Sequence, residues 1–217
     1  MKLFELKLVN AQAAEFAVKN WHYSRILPTG KLVKIGVFED SKFIGVIIFS
    51  RGASPYLGAS LELDQTEVCE LTRVALDKHK TPVSQILSES FRILKETNPG
   101  LRCVVSFADP KEGHKGGIYQ AGNWVFTGSS NPVTEYFIGG RWVHTRGAYH
   151  HKDRPFAPTR TSPGKFRYLY PLDKQFRRKI SKLALPYPNA VEGLEASRRD
   201  SVSEVQVRSL PTALSEK

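Results

Sequence analysis

The stretch from Ser106 to Gly128 constrains the fold more than any other part of this sequence. It starts within an apolar run that ends at Asp109, continues through a short glycine-flanked segment that carries Tyr119, and closes with a second apolar run, Trp124–Phe126. Short apolar runs bounded by turn residues are typical of buried strands, and one helical turn fits between these two. We therefore expect a mixed α/β sheet in which an acid ends one strand and a phenol lies beside it.

The same patterns assign the other elements. Apolar, β-branched runs predict strands, and capping residues followed by apolar positions at helical spacing predict helices. The predicted strands are 32–38, 43–49, 68–76, 101–107, 134–138, 141–145 and 166–171, with a hairpin between the first two and another at Gly139-Gly140. The predicted helices start at Ala11 after Asn10, at Pro82 with Thr81 as N-cap, and at Phe176, and the segment 150–164 is expected to be a loop.

The length of 217 residues predicts one domain, with a single sheet flanked by helices over residues 1–188 and a disordered tail over 189–217. No apolar run approaches the roughly 20 residues that span a bilayer, and the start of the chain lacks the pattern of a signal peptide. Cys69 and Cys103 lie in apolar runs and are expected to be buried, reduced thiols. These features predict a cytoplasmic protein without membrane contact.

Positive charge is concentrated in one segment. Residues 141–182 hold 12 basic and two acidic side chains, a net charge of +10, whereas the whole chain carries +11. Aromatic residues are interleaved with these cations, and rings stack on bases while cations contact phosphates. We predict that the segment binds double-stranded DNA; a merely solvated basic surface is the alternative. The candidate contacts are Arg141, Arg146, Lys165, Arg167, Arg177, Arg178 and Lys179.

Two carboxylates and one phenol are candidates for chemistry. Glu70 lies within an apolar strand, where a carboxylate is costly unless it is paired or functional, and we interpret it as a metal ligand or a general base. Arg73, three residues further on, is predicted to face the other side of that strand. Asp109 is open to three roles: metal ligand, acceptor for the amino group of a base, or turn former. Tyr119 is either a catalytic phenol or a core residue.

Two neighbouring residues after the first predicted helix, His22 and Tyr23, form a further candidate site. Imidazole and phenolate are both ligands for iron. The alternative is that Trp21 and Tyr23 anchor the loop while His22 is solvated, and the residues by themselves favour this second interpretation. His114, in a glycine-flanked turn, is a candidate for phosphate contact.

Five motifs, in chain order over roughly residues 15–188, resemble those of the GNAT superfamily of CoA-dependent acyltransferases. More narrowly, they resemble the phage Mom family of DNA adenine methylcarbamoylation proteins. The motifs are Trp21-His-Tyr-Ser-Arg25, Glu70-Leu-Thr-Arg73, Ser106-Phe-Ala-Asp109, Gly113-His-Lys-Gly-Gly-Ile-Tyr119-Gln-Ala and Lys165-Phe-Arg-Tyr-Leu-Tyr-Pro-Leu-Asp-Lys174.

The resemblance implies an enzyme that adds a methylcarbamoyl group to the N6 amine of adenine in DNA and so protects the DNA from restriction. It implies an iron site formed by His22, Tyr23 and Asp109. It also implies catalytic roles for Glu70, Asp109 and Tyr119, with the Tyr119 phenol protonating a departing thiolate.

The expected donor loop departs from the superfamily pattern. The segment Lys78–Ser84 stands where the superfamily has a glycine-rich pyrophosphate loop, and it contains no glycine. The free N–H groups at the start of the next helix and the charges of Lys78 and Lys80 still predict anion binding there. Together with Arg73 and Ser84, these lysines are the residues to which we assign acetyl-CoA or a related acyl donor.

Two other functions stay open. One is a conventional CoA-dependent N-acetyltransferase, and the other is a non-catalytic DNA-binding protein on a degenerate acyltransferase fold. The implied product carries its new group on a CH2 carbon, which an oxyanion hole alone does not activate. A redox metal such as iron is therefore favoured over plain thioester aminolysis.

Overall fold

The computed structural model of the chain describes residues 4–188. Its strands are β1 Phe4–Leu8, β2 Leu32–Glu39, β3 Lys42–Ser50, β4 Val68–Leu76, β5 Cys103–Ala108, β6 Val125–Ser129, β7 Val133–Ile138, β8 Arg141–His144, β9 Thr159–Ser162 and β10 Phe166–Pro171. Its helices are α1 Ala11–Trp21, α2 Val83–Thr97, α3 Gly117–Gln120, α4 Thr145–Ala148 and α5 Lys174–Ser181.

Seven strands form the main sheet in the order β1-β2-β3-β4-β5-β10-β6. All neighbours in it are antiparallel except β4 and β5, which run parallel. Their pairing covers only three residue pairs, from Val68–Cys103 to Glu70–Val105, although β4 continues to Leu76. The sheet therefore opens between β4 and β5 beyond Glu70. The predicted mixed α/β fold with flanking helices is confirmed.

The two faces of the main sheet carry different helices. Residues of α2 and the ring of Tyr119 pack with Val104 and Ala108 of β5. Residues of α5 pack with Cys103 and Val105, which alternate with them along the same strand and so point to the opposite face. Helix α1 packs on this second face, against β3 and β4. The opening between β4 and β5 therefore lies between two helical layers.

The capping predictions have mixed outcomes. Asn10 caps α1 as predicted, because its side chain accepts the N–H of Ala13 at 2.9 Å. The prediction that Thr81 is the N-cap of α2 is wrong: Pro82 occupies that position, and no side chain caps the helix. The backbone N–H of Thr81 instead donates to the carboxylate of Glu39, 42 residues away in sequence. That contact holds the loop in front of α2.

Residues 133–162, which lie between β6 and β10, form a second, three-stranded sheet in the order β8-β7-β9 together with α4. We call this unit the inserted module. Its predicted hairpin at Gly139-Gly140 is confirmed, and both glycines have positive φ, at 59° and 77°, as a tight primed turn requires. Strand β9 falls within the segment 150–164, where a loop was expected, and α4 begins at Thr145, the last residue of the predicted strand 141–145.

The basic segment 141–182 is divided among three structural environments. Its first part belongs to the inserted module, its middle forms β10 between β5 and β6, and its last part is α5. Within residues 4–188, no helix is long and apolar enough to cross a membrane. Cys69 and Cys103 are buried and unbridged, as predicted. The predicted disordered tail, 189–217, lies outside the described residues.

Candidate active site between β4 and β5

A cavity of about 640 Å³ occupies the opening between β4 and β5. We call it the cleft. Its walls are β4 from Glu70 to Leu76, the end of β5, the turn and helix from Gly113 to Tyr119, and the residues that end α1. The polar and charged side chains of its lining are His22, Tyr23, Glu70, Thr72, Arg73, His79, His114, Lys115, Tyr119 and Lys165. The volume suits a small-molecule or base-sized ligand.

A β-bulge in β4 brings Glu70 and Arg73 to the same cavity. The register between β3 and β4 shifts at this point, with Ile48 opposite Arg73 and Phe49 opposite Leu71, so Thr72 is the extra residue. A bulge reverses the alternation of side chains along the strand. The prediction that Arg73 faces away from Glu70 is therefore wrong: both line the cleft. No salt bridge joins them among the described residues.

Glu70 sits where β4 leaves β5. Burial raises the pKa of its carboxyl above the ordinary value, and the Ala53 N–H and the positive charges of Arg73 and Lys165 oppose that shift in part. A carboxyl with a raised pKa is a better proton acceptor near neutral pH. Arg73 itself is held in place, because its guanidinium donates to the carbonyl oxygens of Ile26 and Thr72. The geometry suits Glu70 as the base of the cleft.

Tyr119 reaches the cleft from α3 and is only 8% exposed. Ser106 Oγ lies 2.8 Å from the Leu71 carbonyl oxygen and 2.8 Å from the Tyr119 hydroxyl. The serine has one hydroxyl proton, and the carbonyl can only accept, so the phenol donates its own proton to Ser106. Burial raises the pKa of Tyr119 to about 12. The phenol is therefore protonated at neutral pH and is oriented by Ser106.

Tyr168 of β10 holds the turn before α3 in place. The Tyr168 hydroxyl donates to the carbonyl oxygen of Lys115 at 2.5 Å and accepts from the Gln120 amide at 3.2 Å. Gly116 has a φ of 81°, and a Cβ there would come within 2.4 Å of the Tyr168 ring. Only glycine fits this close approach, and so it sets the position of α3 and of Tyr119.

Three aromatic side chains meet at the mouth of the cleft. The rings of His22 and Tyr23 lie 4.3 Å apart between centroids, and those of Tyr23 and His114 lie 5.3 Å apart. Burial, Arg73 and His114 lower the pKa of His22 to about 4, so its ring is neutral at neutral pH. Nδ1 of His22 accepts the backbone N–H of Ser24 at 3.1 Å and lies 2.8 Å from Ser24 Oγ, so the neutral ring carries its proton on Nε2. The site at His22 and Tyr23 is thus part of the cleft and not a separate loop anchor.

Asp109 ends β5 as predicted and lies next to these rings. Its Oδ2 atom is 2.8 Å from Lys165 Nζ, and its Oδ1 atom accepts the N–H of Lys111 at 3.1 Å. Its negative charge also raises the pKa of Tyr23, after the larger effect of burial on that phenol. Lys165, a predicted DNA contact, therefore belongs to the mouth of the cleft.

These residues, as they are arranged, do not fit an iron centre. Within residues 4–188, no group of three His, Cys, Asp or Glu side chains lies close enough to hold a metal ion. The Asp109 carboxylate is already paired with Lys165, and the raised pKa of Tyr23 disfavours the phenolate that ligation requires. His22 is neutral, but its Nδ1 already accepts the Ser24 N–H and its Nε2 carries the ring proton, so it too offers no free nitrogen to a metal.

The predicted donor loop lies at the far end of the cleft, where His79 and Val83 contribute to the lining. Lys78 is exposed, and Lys80 Nζ is paired with Asp40 at 3.1 Å. Ser84 lies in the first turn of α2. The backbone N–H groups of Lys80 and Thr81 are both taken by Glu39.

The other predicted DNA contacts are spread over the inserted module, β10 and α5. Arg141 and Arg146 are exposed in the inserted module. Arg167 of β10 is bound to Thr127 and Ser60, and Lys179 of α5 is paired with Glu62 at 2.6 Å. Arg177 lies over the ring of Tyr170, and Arg178 is exposed beside it on α5.

Two residues of the site were not predicted. Ser106 could have been recognised from the sequence, because a hydroxyl inside a buried apolar strand needs a hydrogen-bond partner. Glu39 could not have been recognised, since it ends a strand in a charged turn and its partners lie far away in sequence.

Comparisons with known proteins show what this chain is similar to. Over 205 residues the chain is 27% identical to methylcarbamoylase mom of Escherichia phage Mu, covering 86% of this chain and 84% of that protein. A dodecameric spermidine N-acetyltransferase from Vibrio cholerae has a TM-score of 0.50 and 12% identity, covering 82% of this chain and 99% of that one. The N-acetyltransferase PseH from Campylobacter jejuni, in complex with acetyl coenzyme A, has a TM-score of 0.44 and 12% identity, covering 79% and 100%. The Mom protein family model matches residues 3–189, and the chain therefore belongs to the Mom protein family.

Proposed function

We propose that this chain is a transferase that adds a methylcarbamoyl group to the N6 amine of adenine in DNA. The observation that carries the proposal is the cleft, in which a carboxyl with a raised pKa, an oriented phenol and a mouth of aromatic rings surround one cavity. Family membership supports the same reading, since the phage Mu relative is a methylcarbamoylase.

An adenine that reaches this cleft has left the base stack, at a cost of a few kcal/mol. The rings of Tyr23 and His114 at the mouth offer stacking surfaces that offset part of this cost. When the N6–CH2 bond forms, one N6 proton must leave, and the carboxylate of Glu70 accepts it. The bond from the CH2 carbon to the leaving group of the donor breaks, and its electron pair departs with that group. The Tyr119 phenol stabilises the charge that develops there once its proton turns from Ser106 to the departing group.

The inserted module supplies a surface suited to duplex DNA. Arg160 lies over the Trp142 ring at 4.3 Å, and Arg154 lies between the rings of Tyr136 and Tyr149 at 5.2 and 5.3 Å. Phe156, at the end of a short turn, is 90% exposed. Exposed aromatic residues interleaved with guanidinium groups are typical of nucleic-acid-binding surfaces.

An ion-pair network ties this module to the cleft. Glu135 of β7 binds Lys111 at 2.7 Å and Arg160 at 2.8 Å, and Lys111 is two residues after Asp109. Although burial acts in the other direction, these two cations hold the pKa of Glu135 below its usual value. DNA held by the module would thus lie next to the mouth of the cleft, which also carries the positive charge of Lys165.

A conventional N-acetyltransferase is the second candidate. The fold shared with spermidine N-acetyltransferase favours it. The inserted module and the net charge of +10 over residues 141–182 favour the DNA substrate instead, because a polyamine is itself a cation and would be repelled.

Iron stays part of the proposal only through the resemblance. His22 and Tyr23 would hold it only if the proton on His22 Nε2 moved and Tyr23 lost its phenol proton, and Asp109 could join them only if its ion pair with Lys165 opened. Metal content, measured by mass spectrometry on the purified chain and on His22→Ala, tests this directly: bound iron in the first and its loss in the second support the assignment. A chain that contains no iron and is active without it removes the assignment.

The function itself is tested in bacteria that express the chain, which places it in the host cytoplasm where we expect it to act. Their genomic DNA is digested to nucleosides, and the deoxyadenosine derivatives are weighed. A derivative that carries a methylcarbamoyl group in place of one N6 hydrogen supports the proposal. Unmodified deoxyadenosine, together with acetylation of a small amine by the purified chain, supports the second candidate.

A further inference from the structure

Glu39 is the most deeply buried carboxylate that the proposed mechanism does not use. It ends β2, it is 6% exposed, and its side chain reaches the loop between β4 and α2. The carboxylate accepts the N–H of Lys80 at 2.9 Å and that of Thr81 at 2.7 Å. Asp40, the next residue, pairs with Lys80 Nζ at 3.1 Å. Three contacts, two with the Glu39 carboxylate and one with Asp40, therefore hold the turn between β2 and β3 against the loop.

These contacts occupy the positions at which a loop before a helix binds phosphate. Such a loop holds phosphate oxygens with successive backbone N–H groups and with the positive end of the helix dipole. Here two of the successive N–H groups already donate to Glu39, and the next residue, Pro82, has none. The charge of Lys80 is likewise neutralised by Asp40. A phosphate group placed there would meet a fixed carboxylate that already takes two donors of the loop, and only the first-turn N–H groups of α2 would be left to bind it.

The carboxylate is stable in this position as an anion. Hydrogen bonds from Thr81 and Lys80 and the proximity of His79 outweigh the effect of burial and hold the pKa of Glu39 below its usual value. The Glu39 carboxylate is thus negatively charged at neutral pH. Removing Glu39 would leave two N–H groups in a partly buried loop without a partner, which is costly, so the loop does not release this side chain easily.

We propose that Glu39 determines the class of donor. Its carboxylate occupies the place in front of α2 where a phosphate would bind, so the cleft takes a donor that has no diphosphate-linked nucleotide. This inference rests on the proposed transferase function and narrows its substrate. The cleft then recognises the donor through β4, Arg73 and Tyr119 alone. Acetyl-CoA bound through Lys78, Lys80 and Ser84 does not fit this arrangement of the loop.

The test compares two ligands that share the same thiol arm, coenzyme A and pantetheine, of which only the first carries the diphosphate and nucleotide. Their affinities for the full chain are measured by calorimetry. The proposal predicts that coenzyme A binds no more tightly than pantetheine. Coenzyme A that binds about tenfold or more tightly, a difference equal to about 1.4 kcal/mol, overturns it, because the diphosphate is then recognised.

Two variants carry the test further. Glu39→Gln keeps the shape and one acceptor while it removes the charge, and Glu96→Gln, which removes the charge of an exposed carboxylate further along α2, is the matched control. We expect Glu39→Gln to raise the affinity for coenzyme A about tenfold without a change for pantetheine, while Glu96→Gln changes neither. A folded Glu39→Gln that leaves both affinities unchanged contradicts the role of this charge. If the variant does not fold, the comparison of the two ligands on the wild-type chain decides.

Modification of genomic DNA is a separate readout. A chain that modifies adenine and also binds coenzyme A through its diphosphate contradicts the inference about Glu39 and leaves the transferase function intact. A chain that ignores coenzyme A and never modifies DNA contradicts the proposed function first.

Discussion

The cleft and the inserted module use similar residues in opposite ways. In the cleft, charged and phenolic side chains are fixed: Arg73 binds two carbonyl oxygens, and Tyr119 is buried and donates to Ser106. In the module, Arg141, Arg146 and Phe156 are exposed to solvent, although Arg160 is also paired with Glu135.

This difference separates chemistry from binding. Groups that act in a reaction must be pre-oriented and partly dry, because electrostatic effects weaken in water. Groups that hold a polyanion act through charge and stacking, and they tolerate exposure. Substitutions in the cleft should therefore lower the reaction rate at constant DNA affinity. Substitutions in the module should lower the DNA affinity at constant reaction rate.

The largest expected effect is that of Glu70→Gln. The amide keeps the size of the side chain but cannot accept the N6 proton, so modification should fall about 100- to 10,000-fold. The modified fraction of deoxyadenosine is measured by mass spectrometry, and DNA affinity by gel shift. Glu96→Gln, an exposed change on α2, is the control and should be neutral. If Glu70→Gln weakened DNA binding instead of the rate, the separation between the two regions would fail.

Tyr119→Phe should have the next largest effect. It removes one hydroxyl and keeps the ring, and we expect a loss of about 100-fold, at the low end for general acids, because a phenol with a raised pKa is a weak acid. Ser106→Ala should mimic this loss partially, since it removes the acceptor that orients the phenol. Tyr170→Phe, in the same aromatic cluster but outside the cleft, is the control. An unchanged rate for Tyr119→Phe would assign Tyr119 to the core alone.

In the module, the double change Arg154→Ala and Phe156→Ala should weaken DNA binding about tenfold and leave turnover at saturating DNA unchanged. Each lost phosphate contact should flatten the slope of log K against log salt by about 0.9 on duplex DNA. The triple change of Arg177, Arg178 and Lys179 to alanine tests α5 in the same way and should also flatten the slope. If the α5 variant flattens the salt slope and the module variant does not, the DNA surface lies on the face of the sheet that carries α5.

The smallest effect concerns stability in acid. Because the folded-state pKa of Glu39 is lowered, its stabilising contribution is present above its unfolded pKa of about 4.5 and is lost as the pH falls below that value. Glu39→Gln should therefore lower the melting temperature at pH 7, and the difference from the wild-type chain should shrink in acid. A constant difference across pH would show that hydrogen bonding, and not charge, holds the loop.

Local patterns predicted those parts of the fold that depend on neighbouring residues. Strand β4 has the predicted bounds, as does β10, because both are apolar runs that end at charged or proline-containing turns. Strand β1 was not predicted, since charged residues alternate along its short length, and β9, Thr-Arg-Thr-Ser, was hidden in a proline-rich segment.

Features of the site that depend on distant contacts escaped prediction. The bulge at Thr72 exists only in the pairing of β4 with β3, and it decides that Arg73 faces the cleft. The ion pair between Asp109 and Lys165 joins residues on separate strands. His22, Tyr23, Glu70 and Tyr119, which the sequence motifs had singled out, line one cavity, but the partners of these side chains required the fold.

The most direct test of the account is a crystal structure of the chain bound to duplex DNA with an adenine at the target position. The account predicts that this adenine is out of the base stack and lies in the cleft, with N6 within hydrogen-bond distance of Glu70 and with the inserted module on the flanking backbone. An adenine that stays paired in the duplex, or a duplex bound away from the mouth at Tyr23 and His114, would contradict it.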